Sequence, residues 1–319
     1  MPVTTSQQRD LLTLCALRVD GKLLDWSMLA RSCQTADALA AVMTGELVED
    51  SRAAHRGRSI LQEGLRDLTQ ARAHVDTELR AADQAGAQLI TVLDEEYPAN
   101  LRLVPNLPPF LFYKGELEVG DARSVAVVGT RAASEIGRSR AARMARELVA
   151  EDVVVFSGLA AGIDTAAHTG TLEVGGRTVA VMGTGIAAKV FPAQNRGLAE
   201  RILEEGGALV SQFWPTANGA RWTFPQRNVV MSGATMGTIV IEASSTSGAK
   251  LQARIAAEHG KQVFLLRSLA TQEPWAAEMI TAGRAVEVAE VADVLGRLGS
   301  AQRVQQASQQ RLQLALGGL

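Results

Sequence analysis

A buried strand that ends at a glycine, and is repeated once, decides the fold of this chain. Residues 124–134 read Ser-Val-Ala-Val-Val-Gly-Thr-Arg-Ala-Ala-Ser, and residues 153–168 read Val-Val-Val-Phe-Ser-Gly-Leu-Ala-Ala-Gly-Ile-Asp-Thr-Ala-Ala-His. Short runs of valine and small apolar residues are typical of strands that are buried on both faces of a sheet. The glycine allows a sharp turn, and Ser134 can cap the helix that follows. Because such strand–helix–strand crossovers are right-handed, the two strands are predicted to lie parallel in one sheet.

The alternation of strand and helix continues after this repeat. Five further apolar runs predict strands at residues 178–182, 208–212, 238–242, 262–266 and 285–288. Helical stretches separate these runs, as in proteins whose helices cover both faces of a parallel sheet. We therefore predict an α/β fold with an extended, Rossmann-like, doubly wound and mostly parallel sheet.

The chain before the sheet has a different pattern. Residues 1–88 place apolar residues at helical spacing with charged residues between them, and they contain no obvious strand. A short strand at residues 88–94 and a proline-containing extended segment at 107–115 follow, and we expect them to add edge strands. Three parts are thus predicted: a small helical domain over residues 1–88, a Rossmann-like domain over 89–298, and a short C-terminal helix or tail over 299–319.

Charge and composition limit the classes of function. The 319 residues carry a formal net charge of −2, so the chain lacks a general basic coat that would hold nucleic acid anywhere on its surface. A nucleic-acid site must therefore be a local concentration of arginine and lysine. Aromatic residues make up 4% of the chain, which argues against an extensive surface for stacking bases.

The cysteines and the apolar stretches bear on the compartment. Cys15 and Cys33 have no zinc-site spacing, so we expect buried free thiols in a reducing cytosol. The N-terminus lacks the pattern of a signal peptide, and the longest uncharged apolar stretch, residues 228–241, is too short to span a membrane. We expect a cytoplasmic protein with no membrane partner, no metal and no cofactor.

The loops at the carboxyl ends of the predicted strands gather the candidate binding residues. Ligands bind at this edge of an open α/β sheet, and the helix N-termini that point at it favour anions. Three cations, Arg131, Arg227 and Lys250, approach the edge and would suit several successive phosphates better than one mononucleotide. The predicted DNA- or phosphate-binding residues are Gly129, Arg131, Ser157, Gly158, Gly162, Asp164, His168, Gly183, Arg227, Asn228, Ser247, Gly248 and Lys250.

Three carboxylate and imidazole groups at this edge raise the question of catalysis. Asp164 and His168 are spaced i, i+4 at a helix start and could form a catalytic pair. We favour an Asp164 that caps the helix and the glycine loop, and a His168 that packs in the core. Glu242 ends a strand and is the best single candidate for a general acid or base, but it could equally accept loop N–H groups. The sequence supplies no activated nucleophile, metal cluster or Walker lysine, so we predict no catalytic residues.

Several motifs, in order, resemble those of one family. The chain is similar to the DprA family, also called Smf, of DNA-processing proteins over about residues 89–295. The resemblance rests on Leu-Ile-Thr-Val-Leu-Asp (89–94), Pro-Pro-Phe-Leu-Phe-Tyr-Lys-Gly (108–115), Val-Gly-Thr-Arg (128–131), Ser-Gly-Leu-Ala-Ala-Gly-Ile-Asp-Thr-Ala-Ala-His (157–168), Phe-Pro-Gln-Arg-Asn (224–228), Glu-Ala (242–243) and Ser-Gly (247–248).

The resemblance implies an extended Rossmann fold that binds single-stranded DNA, forms a homodimer and places the recombinase RecA on that DNA without catalytic turnover. It also implies an anion pocket at the loops of Arg131, Arg227, residues 158–162 and residues 247–250. Within the predicted sheet domain, the chain departs from the family at three places. Val229 replaces a usual arginine, Lys250 replaces a usual apolar residue, and residues 267–275 replace a proline-glycine and glycine-asparagine loop.

Three hypotheses about function follow. The first is a single-stranded DNA binder that assists recombination, in DNA uptake and transformation or in a related defence role. The second is a nucleotide-handling enzyme like the phosphoribohydrolases, in which Gly237, Thr238 and Glu242 echo part of the expected pattern. The third is a module that holds a partner, such as a neighbouring defence or toxin protein, through residues 267–275 and the helical N-terminus.

Overall fold

The computed structural model describes residues 4–299. The predicted tail at residues 299–319 lies outside this range except for Gly299. The strands are β1 Arg18–Val19, β2 Lys22–Leu23, β3 Gln88–Thr91, β4 Phe110–Gly115, β5 Ser124–Val128, β6 Val154–Ser157, β7 Thr178–Val181, β8 Ala208–Ser211, β9 Gly237–Val240, β10 Gln262–Leu266 and β11 Val286–Val288. The α-helices are α1 Ser6–Ala16, α2 Trp26–Ser32, α3 Ala36–Met43, α4 Arg52–Gly64, α5 Thr69–Gln84, α6 Glu135–Val149, α7 Ile163–Leu172, α8 Arg196–Glu204, α9 Thr223–Ala234, α10 Gly248–Glu258, α11 Arg267–Gln272, α12 Pro274–Thr281 and α13 Val291–Leu295.

Nine of these strands form one sheet in the order β11-β10-β9-β5-β6-β7-β8-β4-β3. The seven strands from β11 to β8 are parallel, and β4 and β3 continue the sheet antiparallel at one edge. The predictions of a doubly wound, mostly parallel sheet and of edge strands before it are confirmed. The chain moves outward from β5 to β8 and then returns to β9 on the other side of β5. The carboxyl ends of β5 and β9 therefore flank the switch point, where such folds open a crevice.

The direction of each crossover decides which face its helix covers. The crossovers through α6, α7 and α8 run toward β8, whereas those through α9 and α10 run the opposite way. Because right-handed crossovers of opposite direction place their helices on opposite faces, the sheet is covered on both sides. This explains why every residue of β5, β7, β8 and β9 is buried and why these strands read as continuous apolar runs.

The N-terminal helices include a feature that the sequence did not indicate. A two-stranded antiparallel hairpin, β1 and β2, lies between α1 and α2, and Asp20 and Gly21 at its turn both have positive φ. The expectation of a region without strands is therefore wrong, because two-residue strands are too short to show an apolar alternation. Cys15 and Cys33 are buried free thiols, as predicted.

An aromatic cluster joins the N-terminal helices to the sheet. Trp26 of α2 lies with its ring centroid 5.0 Å from that of Phe110 of β4, and Phe110 lies 4.9 Å from Trp214. The His74 ring of α5 also contacts Trp214, edge to face, with the ring centroids 4.9 Å apart. Tilted and edge-to-face contacts of this kind add to the free energy gained from burial alone. The division into domains at residue 88 stays a prediction.

A buried carboxylate reinforces this junction. Glu78 of α5 is 4% exposed and accepts hydrogen bonds from the backbone N–H of Thr216 at 2.9 Å and from its hydroxyl at 2.6 Å. In the described part of the chain, the helices are too short or too polar to cross a bilayer.

The junction can be tested by replacing Glu78. Glu78→Ala should lower the free energy of unfolding by about 1–3 kcal/mol, because the N–H and hydroxyl of Thr216 lose their acceptor in a buried place. Arg72→Ala, an exposed position on the same helix, is the matched control and should change it by less than about 0.5 kcal/mol. Urea denaturation measures both, and equal stabilities for the two variants would contradict a structural role for Glu78.

Candidate functional site

A cleft of about 430 Å³ opens at the switch point of the sheet. Its walls are the loop after β5, the loop after β6 with the start of α7, the first turns of α9, and the loop after β9 with the start of α10. The predicted binding residues that line it are Gly129, Arg131, Asp164, Arg227, Asn228, Ser247 and Gly248. Residues from four separate segments of the sequence therefore meet at the edge where the strand ends predicted a site.

Arg131 is the exposed cation of the cleft. Its guanidinium carbon lies 5.3 Å from the ring centroid of Phe224, within range of a cation–π contact that holds the side chain over the cleft. The Phe224 ring packs against Gly183, where a Cβ would overlap the ring. The centroid of the Phe224 ring lies 5.4 Å from that of Phe191. Gly183 therefore supports the aromatic wall from outside the cleft. Phe224 was seen only as part of a sequence motif, and its position under Arg131 required the tertiary structure.

Arg227 is the buried cation, with 6% of its surface exposed. Its Nη1 donates a hydrogen bond of 2.8 Å to the carbonyl of Val181 at the end of β7. The guanidinium lies against the backbone of Gly158, where a Cβ would overlap it. Burial lowers the pKa of Arg227, and the neighbouring Asp164 carboxylate opposes this shift. Gly158 thus contributes space for the arginine and does not line the cleft.

Asp164 holds the loop that follows β6. Its carboxylate accepts hydrogen bonds from the N–H groups of Gly158 at 3.1 Å and Ala160 at 3.4 Å. Burial raises its pKa, while the Arg227 charge and the loop N–H groups act in the opposite direction. These contacts place Asp164 on the glycine loop, whereas α7 has no side-chain cap among the described residues, so only the loop part of the favoured interpretation is observed.

His168 is fully buried one turn further along α7, outside the cleft. Its Nδ1 lies 2.7 Å from the Thr178 hydroxyl, and that hydroxyl donates to the carbonyl of Val155 at 2.7 Å. Because the single hydroxyl hydrogen is used there, Nδ1 must carry a proton and donate to Thr178. Burial, and after it the charge of Arg227, lowers the pKa of His168 to about 3. A neutral imidazole buried in the core agrees with the expectation that His168 packs and is not catalytic.

Four further predicted residues have structural roles around the cleft or lie outside it. The Ser157 hydroxyl is buried and donates to the carbonyl of Val127 at 2.6 Å. Gly162 starts α7 at φ +81°, a conformation that favours glycine, and packs against the loop after β5. Ser247 caps α10 by accepting from the N–H of Ala249 at 3.2 Å. Lys250 faces a neighbouring groove instead of the cleft.

Glu242 is engaged in capping α6. Its carboxylate accepts hydrogen bonds from the Ser134 hydroxyl at 2.7 Å and from the Ser134 N–H at 3.2 Å and 3.3 Å. The Ser134 hydroxyl in turn accepts from the N–H of Gly137 at 2.9 Å. Of the two roles left open by the sequence, the structure places Glu242 in the one that satisfies loop N–H groups. Among residues 4–299, histidine, cysteine and carboxylate side chains form no group suited to a metal ion.

Comparison with known proteins places the chain in a family. The model of the family described as DNA recombination-mediator protein A matches residues 88–299, most of the chain. This chain belongs to that family. The match begins at β3 and includes the whole nine-stranded sheet and every residue that lines the cleft.

Three relatives show how similar the chain is to other members. Protein Smf of Escherichia coli is 37% identical over 206 residues, which cover 65% of this chain and 55% of the relative. DNA processing protein DprA of Streptococcus pneumoniae is 39% identical over 176 residues, covering 55% and 61%. A putative DNA processing protein DprA of Mycobacterium tuberculosis is 32% identical over 310 residues, covering 88% and 77%. The chain thus spans little more than half the length of the first two relatives.

Two solved structures share the fold. The X-ray structure of DNA processing protein A from S. pneumoniae superposes with a TM-score of 0.70 at 28% identity, covering 94% of this chain and 99% of that one. A structure of DNA processing protein A from Helicobacter pylori, described for its single-stranded DNA binding mode, gives a TM-score of 0.58 at 22% identity, covering 67% and 97%. The likeness to the pneumococcal protein includes the N-terminal helices as well as the sheet.

The contact between Gly158 and Arg227 can be tested by adding one methyl group. Gly158→Ala should destabilise the protein by about 1–3 kcal/mol, because the guanidinium must leave its place over the loop. Gly197→Ala on α8, where a Cβ meets open space, is the matched control and should be neutral or slightly stabilising. Thermal denaturation measures the stability of both variants. A Gly158→Ala variant as stable as the wild type would show that the Arg227 guanidinium is not held against Gly158.

The buried His168 predicts a pH dependence of stability. Its native pKa of about 3 lies below the unfolded value of 6.5, so the unfolded chain binds more protons between these pH values. Stability should therefore fall as the pH drops from 6.5, with a contribution from His168 of up to about 1.4 kcal/mol per pH unit. His168→Asn keeps an N–H for Thr178 and cannot titrate, so the variant should lose less stability on acidification than the wild type.

Urea denaturation of both proteins at several pH values between 7 and 4 measures this difference. Burial and the charge of Lys261 also lower the pKa of His259, to about 4, and this residue contributes equally in both proteins. Parallel curves of stability against pH for the two proteins would rule out a neutral, buried His168.

Proposed function

We propose that the cleft binds the phosphate backbone of single-stranded DNA, without catalytic turnover, in a role that assists recombination. The observation that carries the proposal is the convergence of Arg131 and Arg227 on one cleft at the switch point of the sheet. Arginine binds phosphate through a planar pair of donors, and its charge attracts a polyanion. The proposal depends on the geometry of the cleft, and membership of a family of DNA recombination mediators supports DNA as the ligand.

The polar groups of the cleft suit a phosphate. Asn228, Ser244, Thr246 and Ser247 line it beside the two arginines, and α10 begins there with its N-terminus. Free N–H groups and the partial positive charge of a helix start favour an anion. Asp164 is the acid among the lining residues, and its N–H contacts and the Arg227 charge reduce its repulsion of an anion.

Size and aromatic neighbours favour a single strand over a duplex. A cleft of about 430 Å³ has the dimensions of a small-ligand pocket, so it admits nucleotides one at a time and not the body of a double helix. Phe191, which is 52% exposed, lies with its ring centroid 5.4 Å from that of Phe224 at the wall of the cleft. Exposed aromatic rings stack on unpaired bases of any identity, and paired bases do not offer their faces in this way. The H. pylori protein of this fold is described as binding single-stranded DNA.

The finer parts of the proposal come from the family resemblance. We propose that the protein acts in the cytoplasm as a homodimer and helps to place RecA on the bound strand, in transformation or in a related defence role. A neighbouring defence or toxin protein is a further candidate partner, and capture from the native host tests it. The enzymatic alternative is weakened because Glu242 is occupied in capping α6.

Replacing the exposed arginine tests the proposal. Arg131→Ala should weaken binding of a labelled oligo(dT) about tenfold, because one charged hydrogen-bonding contact to phosphate is lost. The slope of log K against log salt should fall by about 0.7. Arg143→Ala, which removes an exposed arginine of α6 outside the cleft, is the matched control and should bind like the wild type. Fluorescence anisotropy at two salt concentrations measures each.

Two outcomes would contradict the proposal. One is equal affinity of the Arg131→Ala and Arg143→Ala variants for the oligonucleotide. The other is release of free base from nucleoside monophosphates that Glu242→Gln abolishes, which would establish the enzymatic alternative instead.

A further inference from the structure

A second, cationic groove adjoins the cleft. It has a volume of about 260 Å³ and lies between α10 and α12. The side chains that give it its character are Lys250, Arg254, Trp275, Glu278 and Arg284. Thr246, Ser247 and Leu251 line both the cleft and the groove, so the two are neighbours across one short loop.

The charge of the groove is positive. Lys250, Arg254 and Arg284 contribute three cations, and Glu278 is the one acid among its lining residues. Arg254 also pairs with Glu258 at 3.4 Å, but both side chains are 62% exposed. An exposed i, i+4 pair of this kind is weak and screened by salt, so Arg254 stays available to an anionic ligand.

A buried tryptophan positions Lys250. The Lys250 ammonium lies 5.9 Å from the ring centroid of Trp275, which is 7% exposed and forms part of the groove wall. This contact favours an ammonium held at the groove over one free in solvent. Trp275 belongs to α12, which begins at Pro274. Residues 267–275, where the sequence departs from the family pattern, form α11 and the start of α12. Lys250 is a second position where the sequence departs from the family pattern, and its contact with Trp275 brings the two departures together in space.

We propose that this groove binds the next backbone phosphates of the strand held in the cleft, and so lengthens the DNA site along α10. The inference rests on the proposed function of the cleft. The ligand class is a polyanionic backbone and not a base, because the groove offers cations and hydroxyls while its one ring is buried. Lys250, which the sequence grouped with Arg131 and Arg227, then contacts a different phosphate from theirs.

A length series of oligonucleotides tests the groove separately from the cleft. The probes are labelled oligo(dT) of about 5 and about 20 nucleotides, spanning the range of single-strand site sizes. The triple variant Lys250→Gln, Arg254→Gln, Arg284→Gln should bind the short probe within about twofold of the wild type. It should bind the long probe at least about tenfold more weakly, with the salt slope reduced by up to about 2, since each phosphate contact contributes about 0.7.

Two further variants keep the test decisive. Lys250→Met restores an apolar residue at a half-buried position, is compatible with the fold, and should lose about 0.7 of the salt slope on the long probe alone. Arg143→Ala removes an arginine of matching exposure, 61% against 62% for Arg254, and should change neither probe.

The outcomes separate the two proposals. Long-probe binding by the triple and Lys250→Met variants that equals the wild type would overturn the groove and leave the cleft intact. An equal loss on both probes would also overturn it, because the groove would then be no separate subsite. If the wild type binds neither probe, or if Arg131→Ala binds the short probe as the wild type does, the proposed function itself fails.

Discussion

A buried arginine lies at the carboxyl edge of the sheet, beside the ends of β6 and β7, and the rest of the site is arranged around it. Removing a guanidinium from water carries a large desolvation cost, which persists in a fold only if hydrogen bonds and an opposite charge offset it. Arg227 has the Val181 carbonyl at the end of β7 and the Asp164 charge nearby. Asp164 in turn orders the loop at Gly158 on which the guanidinium rests. The arginine, the carboxylate and the glycine therefore depend on one another, which is why each residue type is needed at its place.

The order of the strands brings these groups together. Because β9 returns beside β5 after the chain has moved out to β8, the loops after β5 and β9 part at the carboxyl edge and leave a cleft between them. The same return places α9 and α10 on one face, so Arg227 and the start of α10 reach this edge from that side. Cations from residues far apart in the sequence then face the same volume. The N-terminal helices pack against the opposite part of the sheet through Trp26, Phe110 and Trp214 and do not line the cleft.

Much of the fold could be predicted because its strands are buried on both faces. Continuous apolar runs such as residues 124–128 have one stable place in an α/β protein, and glycine, serine and aspartate mark where strands end and helices begin. The hairpin of residues 18–23 was missed because its strands are short and mostly exposed, so no periodicity marks them. The site was predicted as a set of residues, yet the sequence could not separate those that line the cleft from those that support it. Ser157, His168 and Arg131 all belong to the sequence motifs and were all predicted to bind. In the structure, however, Ser157 and His168 use polar atoms in hydrogen bonds within the core.

By itself, the sequence determined the α/β class, the parallel strands, the edge on which the glycine-rich loops meet and the family. All of these follow from local patterns of burial, turns and motifs. Only the tertiary structure decided which cations share a volume, because side-chain direction and strand order are not local properties. It separated Arg131 and Arg227 in the cleft from Lys250 in the groove. It assigned Glu242 to the cap of α6. It also brought Lys250 against Trp275, 25 residues further along the chain, because α12 lies across the groove from α10. Contacts of that kind depend on how elements pack, and no single stretch of sequence contains them.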